Sequence, residues 1–140
     1  MKLALKNLTG KVVTKNVSKY IINWDATCKS KFQFEVKQFF KSFWFYQICF
    51  EEFPVYGSLM KVDLLNATKK IAVEANGVQH GEFVEHFHGH PANYLQSIRR
   101  DWKKTEWLES NGFSLIEIEP KDLKRLTPKY IENKFDIKID

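Results

Sequence analysis

Asp63 and Glu74 are the two carboxylates whose setting in this 140-residue chain suggests chemistry. Met60 to Asn66 alternates apolar and polar residues, and so does Ile71 to Asn76, the period-2 signature of half-buried strands. The Ala67-Thr68-Lys69-Lys70 stretch between them is short enough to reverse the chain directly. Pairing Asn66 with Ile71 then places Asp63 opposite Glu74 on one face, with Cβ atoms roughly 5 Å apart. Like charges at that distance repel unless a cation lies between them. A divalent metal held by two carboxylates is the usual reason for such a pair.

The elements that must position these acids follow from the flanking sequence. Ser30 suits the N-cap of a helix from Lys31 to about Phe43, whose apolar residues Phe32, Val36, Phe39, Phe40 and Phe43 recur at helical spacing. Glu35 borders that stripe, a position where a solvated glutamate is ordinary. Phe45 to Phe53 reads as an aromatic and β-branched strand ended by Pro54 and Gly57. After Gly77 comes a His-rich loop, then a helix from about Ala92 to Ser110 with Asn111-Gly112 as its C-cap. Tyr94, Leu95, Ile98, Trp102, Thr105 and Leu108 form its predicted buried stripe. Trp107 falls outside that stripe and is expected to be exposed, and Asp101 lies beside it. Phe113 to Glu119 is a closing strand, and the Pro120-to-Phe135 stretch reads as two short helices around Pro128. The expected fold is α/β (α+β): a single domain with a central mixed β-sheet flanked by helices. A basic segment (1–29) precedes the core (30–119), and a helical tail (120–140) packs on it.

Composition narrows the function classes. Apolar residues at 44% and twelve phenylalanines describe a folded domain, and no apolar run nears the roughly 18 residues that span a bilayer. MKLALKNLTGK lacks the apolar core of a signal peptide. Cys28 and Cys49 match no metal or redox spacing and suit isolated buried thiols in a reducing cytoplasm. Residues 1–31 carry seven lysines against the single acid Asp25, whereas the remainder, with 15 basic and 16 acidic residues, is nearly neutral. Such asymmetry suits a polyanion, most simply nucleic acid, with Lys11, Lys15 and Lys19 as contacts. Arg99, Arg100, Lys103 and Lys104 crowd the second helix, where part of the cluster suits phosphate contact.

The ordered set Asp63, Glu74, Asn76-Gly77, Gln79-His80 resembles the PD-(D/E)XK (restriction-endonuclease-like) nuclease superfamily. Glu35 in the preceding helix, the Arg99-Arg100-Asp101…Lys104 helix and the closing strand GFSLIEI agree with it. The resemblance is closest to the very-short-patch-repair-like branch and its EDxHD homing endonucleases, and covers roughly residues 30–118. It implies a restriction-endonuclease-like fold and a metal-dependent DNA endonuclease that nicks or cuts both strands, of homing or phage type. It implies Asp63 and Glu74 as metal ligands with the carbonyl of Ala75, and Glu35 completing the acidic site directly or through water. His80 would act on the attacking water or leaving oxygen, Asp101 would orient it, and Gln79 would contact the nucleic acid. Mg²⁺ is the implied cofactor, with Mn²⁺ able to substitute. DNA is the implied partner, no membrane is involved, and a homodimer would cut both strands. The expected location is the cytoplasm, the host's if the chain is phage-encoded.

One departure stands out. Asn76 occupies the position where the superfamily usually has lysine, and asparagine carries no charge. In the His-containing branch His80 takes part of that role; Lys69 or Lys70 from the turn, or Lys104 from the helix, are alternatives. The other readings are a catalytically weakened nucleic-acid-binding protein of the same fold and a structure-specific or RNA nuclease. His86, His88 and His90 suit either a loop contacting substrate or a transition-metal site.

Overall fold

Ser30 accepts a hydrogen bond from the Gln33 amide and starts helix α1 (Lys31–Trp44) where the sequence predicts. The computed structural model describes residues 1–76 and 102–140. Helix α1 buries Val36, Phe40 and Trp44, four residues apart, so Phe40 and Trp44 stack along one face. That packing carries the helix through Trp44, and the strand predicted from Phe45 begins only at Cys49.

The main sheet has the order β3 (Cys49–Pro54), β4 (Lys61–Asn66), β5 (Ile71–Ala75), β6 (Ser114–Ile118). The first three strands are antiparallel, whereas β6 lies parallel to β5. The β4–β5 register is Leu64↔Val73, Leu65↔Ala72 and Asn66↔Ile71, as the alternation predicts. Asn66 shapes the turn by accepting from the Lys69 amide, and Lys70 adopts a positive φ. Strand β5 is buried on both faces because helices cover each side.

Helix α1 and the C-terminal segment cover one face with Val36, Phe40, Trp44, Ile131 and Ile139 against Leu64, Val73, Ile116 and Ile118. A 3₁₀ turn (Pro120–Arg125) and helix α3 (Pro128–Phe135) hold this segment, and the Trp44 indole donates to the Ile139 carbonyl. The opposite face is covered by residues 102–110, which are helical (α2), and by a separate two-stranded ribbon, β1 (Lys2–Lys6) and β2 (Val12–Asn16). Leu5, Val17, Trp107, Leu108 and Phe113 pack there against Phe50, Phe53, Leu65 and Ala72. The basic N-terminal segment is therefore folded onto the core. Among the described residues no helix is long and apolar enough to cross a membrane.

The two tryptophans of α2 exchange the places expected of them. Trp107 is 2% exposed and Trp102 is 67% exposed. The ribbon is the cause: it gives α2 a second packed side, and the Trp107 indole donates to the Lys6 carbonyl at 2.6 Å. Of the two thiols, Cys49 is buried and pushed up to about 12 by burial, whereas Cys28 is only half-buried.

Candidate acidic site

Regular β4–β5 pairing stops at Leu64↔Val73, and side chains take over from the ladder. The Ala75 amide donates to Asp63 Oδ2 at 2.9 Å, and the Asp63 amide donates to Glu74 Oε2 at 3.3 Å. Each carboxylate thus caps a backbone donor of the other strand, which holds both acids at the diverging end of the hairpin. Asp63 is half-buried and Glu74 is buried. Burial first, and then the charge of Asp63, push the Glu74 carboxyl up to about 8. Lys104 opposes the shift, with its Nζ 2.5 Å from Glu74 Oε1.

Of Lys69, Lys70 and Lys104, one reaches the acidic pair. Lys69 and Lys70 lie at the far end of the hairpin, and the Lys70 ammonium sits over the Phe113 ring. Lys104, from α2, is the lysine that meets the acidic pair. Asn76 turns the other way: its amide donates to Glu117 Oε2 of β6 at 3.1 Å, and its backbone amide to the Ile118 carbonyl.

Glu35 is half-buried on α1, and that helix lines the cleft beside Asp63 with Gln33, Val36 and Lys37 instead. The structure thus brings together Asp63, Glu74, Ala75 and Lys104 from the predicted set and leaves Glu35 apart from their contacts. Gln79, His80, Arg99, Arg100 and Asp101 lie outside the described residues, as do His86, His88 and His90. Lys103 is exposed beside Lys104, and Lys11 is exposed next to the ribbon turn. The Lys15 and Lys19 ammonium groups sit over the Tyr56 and Tyr20 rings at 5.0 and 5.2 Å.

A second ionic group beside Asp63 was not foreseen. Lys37 is buried on α1, with its Nζ 2.6 Å from Glu51 Oε2 and 2.9 Å from the Ala26 carbonyl. The neighbouring Glu52 has φ +49° and accepts from Gln33 Nε2 at 3.0 Å. A signal existed: Lys37 lies between Val36 and Phe40 on the apolar face of α1, where a lysine requires an acidic partner.

The donor set suits a hard divalent cation, because two carboxylates share a buried corner and the charge of one opposes ionisation of the other. No group of three or more His, Cys, Asp or Glu converges for metal binding among the described residues. Asp63 and Glu74, with the Ala75 carbonyl, are the residues that would hold such an ion.

No family model matches the chain, and no solved structure matches it. Among curated proteins it is 33% identical over 75 residues to uncharacterized protein 307L of Invertebrate iridescent virus 6. That stretch is 54% of this chain and 37% of the viral protein. It is also 34% identical over 65 residues to uncharacterized protein 033L of Invertebrate iridescent virus 3, covering 46% of this chain and 34% of the relative. The matched regions span only about a third of these relatives.

Proposed function

We propose that the protein is a metal-dependent DNA endonuclease of restriction-endonuclease-like architecture, with Asp63 and Glu74 at its centre. The observation that carries this reading is the Asp63–Glu74 pair at the open end of the hairpin, with the Lys104 ammonium against it. Phosphodiester hydrolysis needs an activated water, neutralisation of transition-state charge and a proton for the leaving oxygen. A bound Mg²⁺ or Mn²⁺ would supply charge neutralisation and polarise water. The chain's own groups supply the rest. The Ala75 amide orients Asp63, and Glu74 would give up its proton on taking up the cation. Lys104 brings the positive charge that Asn76 lacks to the edge of the acidic pair, where a scissile phosphate would lie. His80 and Asp101 belong to the proposal through their place in the motif. The iridescent-virus relatives agree with a viral setting, although their names describe no activity.

The competing reading is a nucleic-acid-binding protein without catalysis, favoured by the Asn76 amide turning to Glu117. The test is incubation of supercoiled plasmid with the protein in Mg²⁺, Mn²⁺ or EDTA, beside Asp63→Ala. Metal-dependent nicking or linearisation lost in Asp63→Ala is the expected result. Lys104→Met should cut the rate on the order of 10²-fold, the scale of losing one transition-state charge contact. Absence of cleavage on plasmid, branched DNA and RNA alike would favour the binding reading.

A further inference from the structure

The β1–β2 ribbon has two unlike faces. Leu3, Leu5 and Val13 point inward to the core, whereas Lys2, Ala4, Lys6, Val12, Thr14 and Asn16 are all exposed on the outer face. The pairs Lys2↔Asn16, Ala4↔Thr14 and Lys6↔Val12 lie directly opposite one another, so this face presents three rows of two residues. Residues 1–24 contain five lysines and no acid. Val12 is 61% exposed on a face with no described covering element, an unusual place for a valine in a short ribbon.

From these features we infer that the outer face of the ribbon enters the major groove of duplex DNA and contributes sequence preference to the proposed nuclease. The inference rests on the DNA reading above. Two strands about 5 Å apart form a ribbon that a major groove about 12 Å wide admits. The side chains suit that environment. Lys2 and Lys6 meet phosphates or guanine acceptors, Asn16 and Thr14 bond to base edges, and Ala4 with Val12 contacts thymine methyl groups. The ribbon is also fixed to the helix that reaches the acids. The Lys6 carbonyl accepts from the Trp107 indole, and the Lys6 amide donates to Asn111 Oδ1 at 2.8 Å. Lys104, one turn before Trp107, holds Glu74. The ribbon is thus tied, through one helix, to the side chain that meets Glu74.

The experiment is fluorescence anisotropy of the whole protein with a short labelled duplex in EDTA, titrated between roughly 50 and 200 mM salt. Lys2→Ala/Lys6→Ala should lower the slope of log affinity against log salt by about 2, near 0.9 per lost phosphate contact. Lys129→Ala/Lys138→Ala, on the C-terminal segment, should leave it unaltered. Methyl green, a major-groove ligand, should displace the wild type, and the minor-groove ligand netropsin should not. Circular dichroism melting checks that the exposed double variant keeps its fold. An unaltered slope in Lys2→Ala/Lys6→Ala, or no displacement by methyl green, overturns the inference. Metal-dependent cleavage lost in Asp63→Ala would still support the nuclease reading in that case, so the two fail separately.

Discussion

At Glu74, burial and the neighbouring Asp63 both act against negative charge, and Lys104 only partly offsets them. The folded protein therefore keeps a proton near pH 7 that the unfolded chain gives up around 4.5. This group's contribution to stability is fully present below pH 4.5 and is lost as pH rises to about 8, by on the order of a few kcal/mol. Urea unfolding at pH 5, 6.5 and 8 should show that decline, and Glu74→Gln should flatten it. Asp63→Asn should also flatten it by removing the charge that raises Glu74; a slope identical to wild type in both variants would refute the assignment. The acid pair was legible because the period-2 pattern allows one register, and a slip by one residue would turn Asp63 and Glu74 to the other face. The role of Lys104 was less so. Four bases lie within the six residues 99–104 of the sequence, and their order alone does not say which one turns inward.

Helix α2 ends in a Schellman motif. The Phe113 amide donates to the Leu108 carbonyl, the Gly112 amide to that of Glu109, and Gly112 has φ +80°. A Cβ at Gly112 would meet nothing within 4 Å, so Gly112→Ala isolates the conformational cost. Chemical denaturation should show a loss of about 1–2 kcal/mol. At the other end of the fold, Asp122 accepts from the Glu119 amide, Lys134 Nζ at 2.7 Å and the Tyr130 hydroxyl. Burial works against the charge of Asp122, but these bonds outweigh it and hold its carboxyl below the usual range. Its contribution to stability is present at neutral pH and lost in acid, opposite in sign to that of Glu74. Asp122→Ala should cost about 3 kcal/mol at pH 7, read as a lower urea midpoint, and less as the pH falls. The caps at Ser30 and Gly112 were readable because each is a local bargain between a side chain or φ and the nearest turn. Trp107 was not, because its burial depends on a ribbon about a hundred residues away in sequence. The same limit misplaced the start of β3, since Phe45 to Ile48 carries β-type residues but follows the turn that α1 imposes.

For the molecule as a whole, protons and a divalent cation should compete at the acidic corner. A cation that binds only the folded state raises stability by RT ln(1 + [L]/Kd), about 1.4 kcal/mol at ten times Kd. For a domain of this size that is a rise of about 3–6 °C in melting temperature. At pH 6 Glu74 holds its proton, and a cation must displace it first; at pH 8 half of the molecules have already lost it and most of that cost is gone. The Mg²⁺-induced rise should therefore be larger at pH 8 than at pH 6, and EDTA should reverse it. Asp63→Ala and Glu74→Gln should each abolish it, whereas Glu35→Gln, apart from the pair in this structure, should leave most of it. A melting temperature indifferent to millimolar Mg²⁺ and Mn²⁺ at pH 8 would count against a metal at this corner. Lys104 and the two backbone amides would then be what holds the carboxylates, and the reading without catalysis would gain.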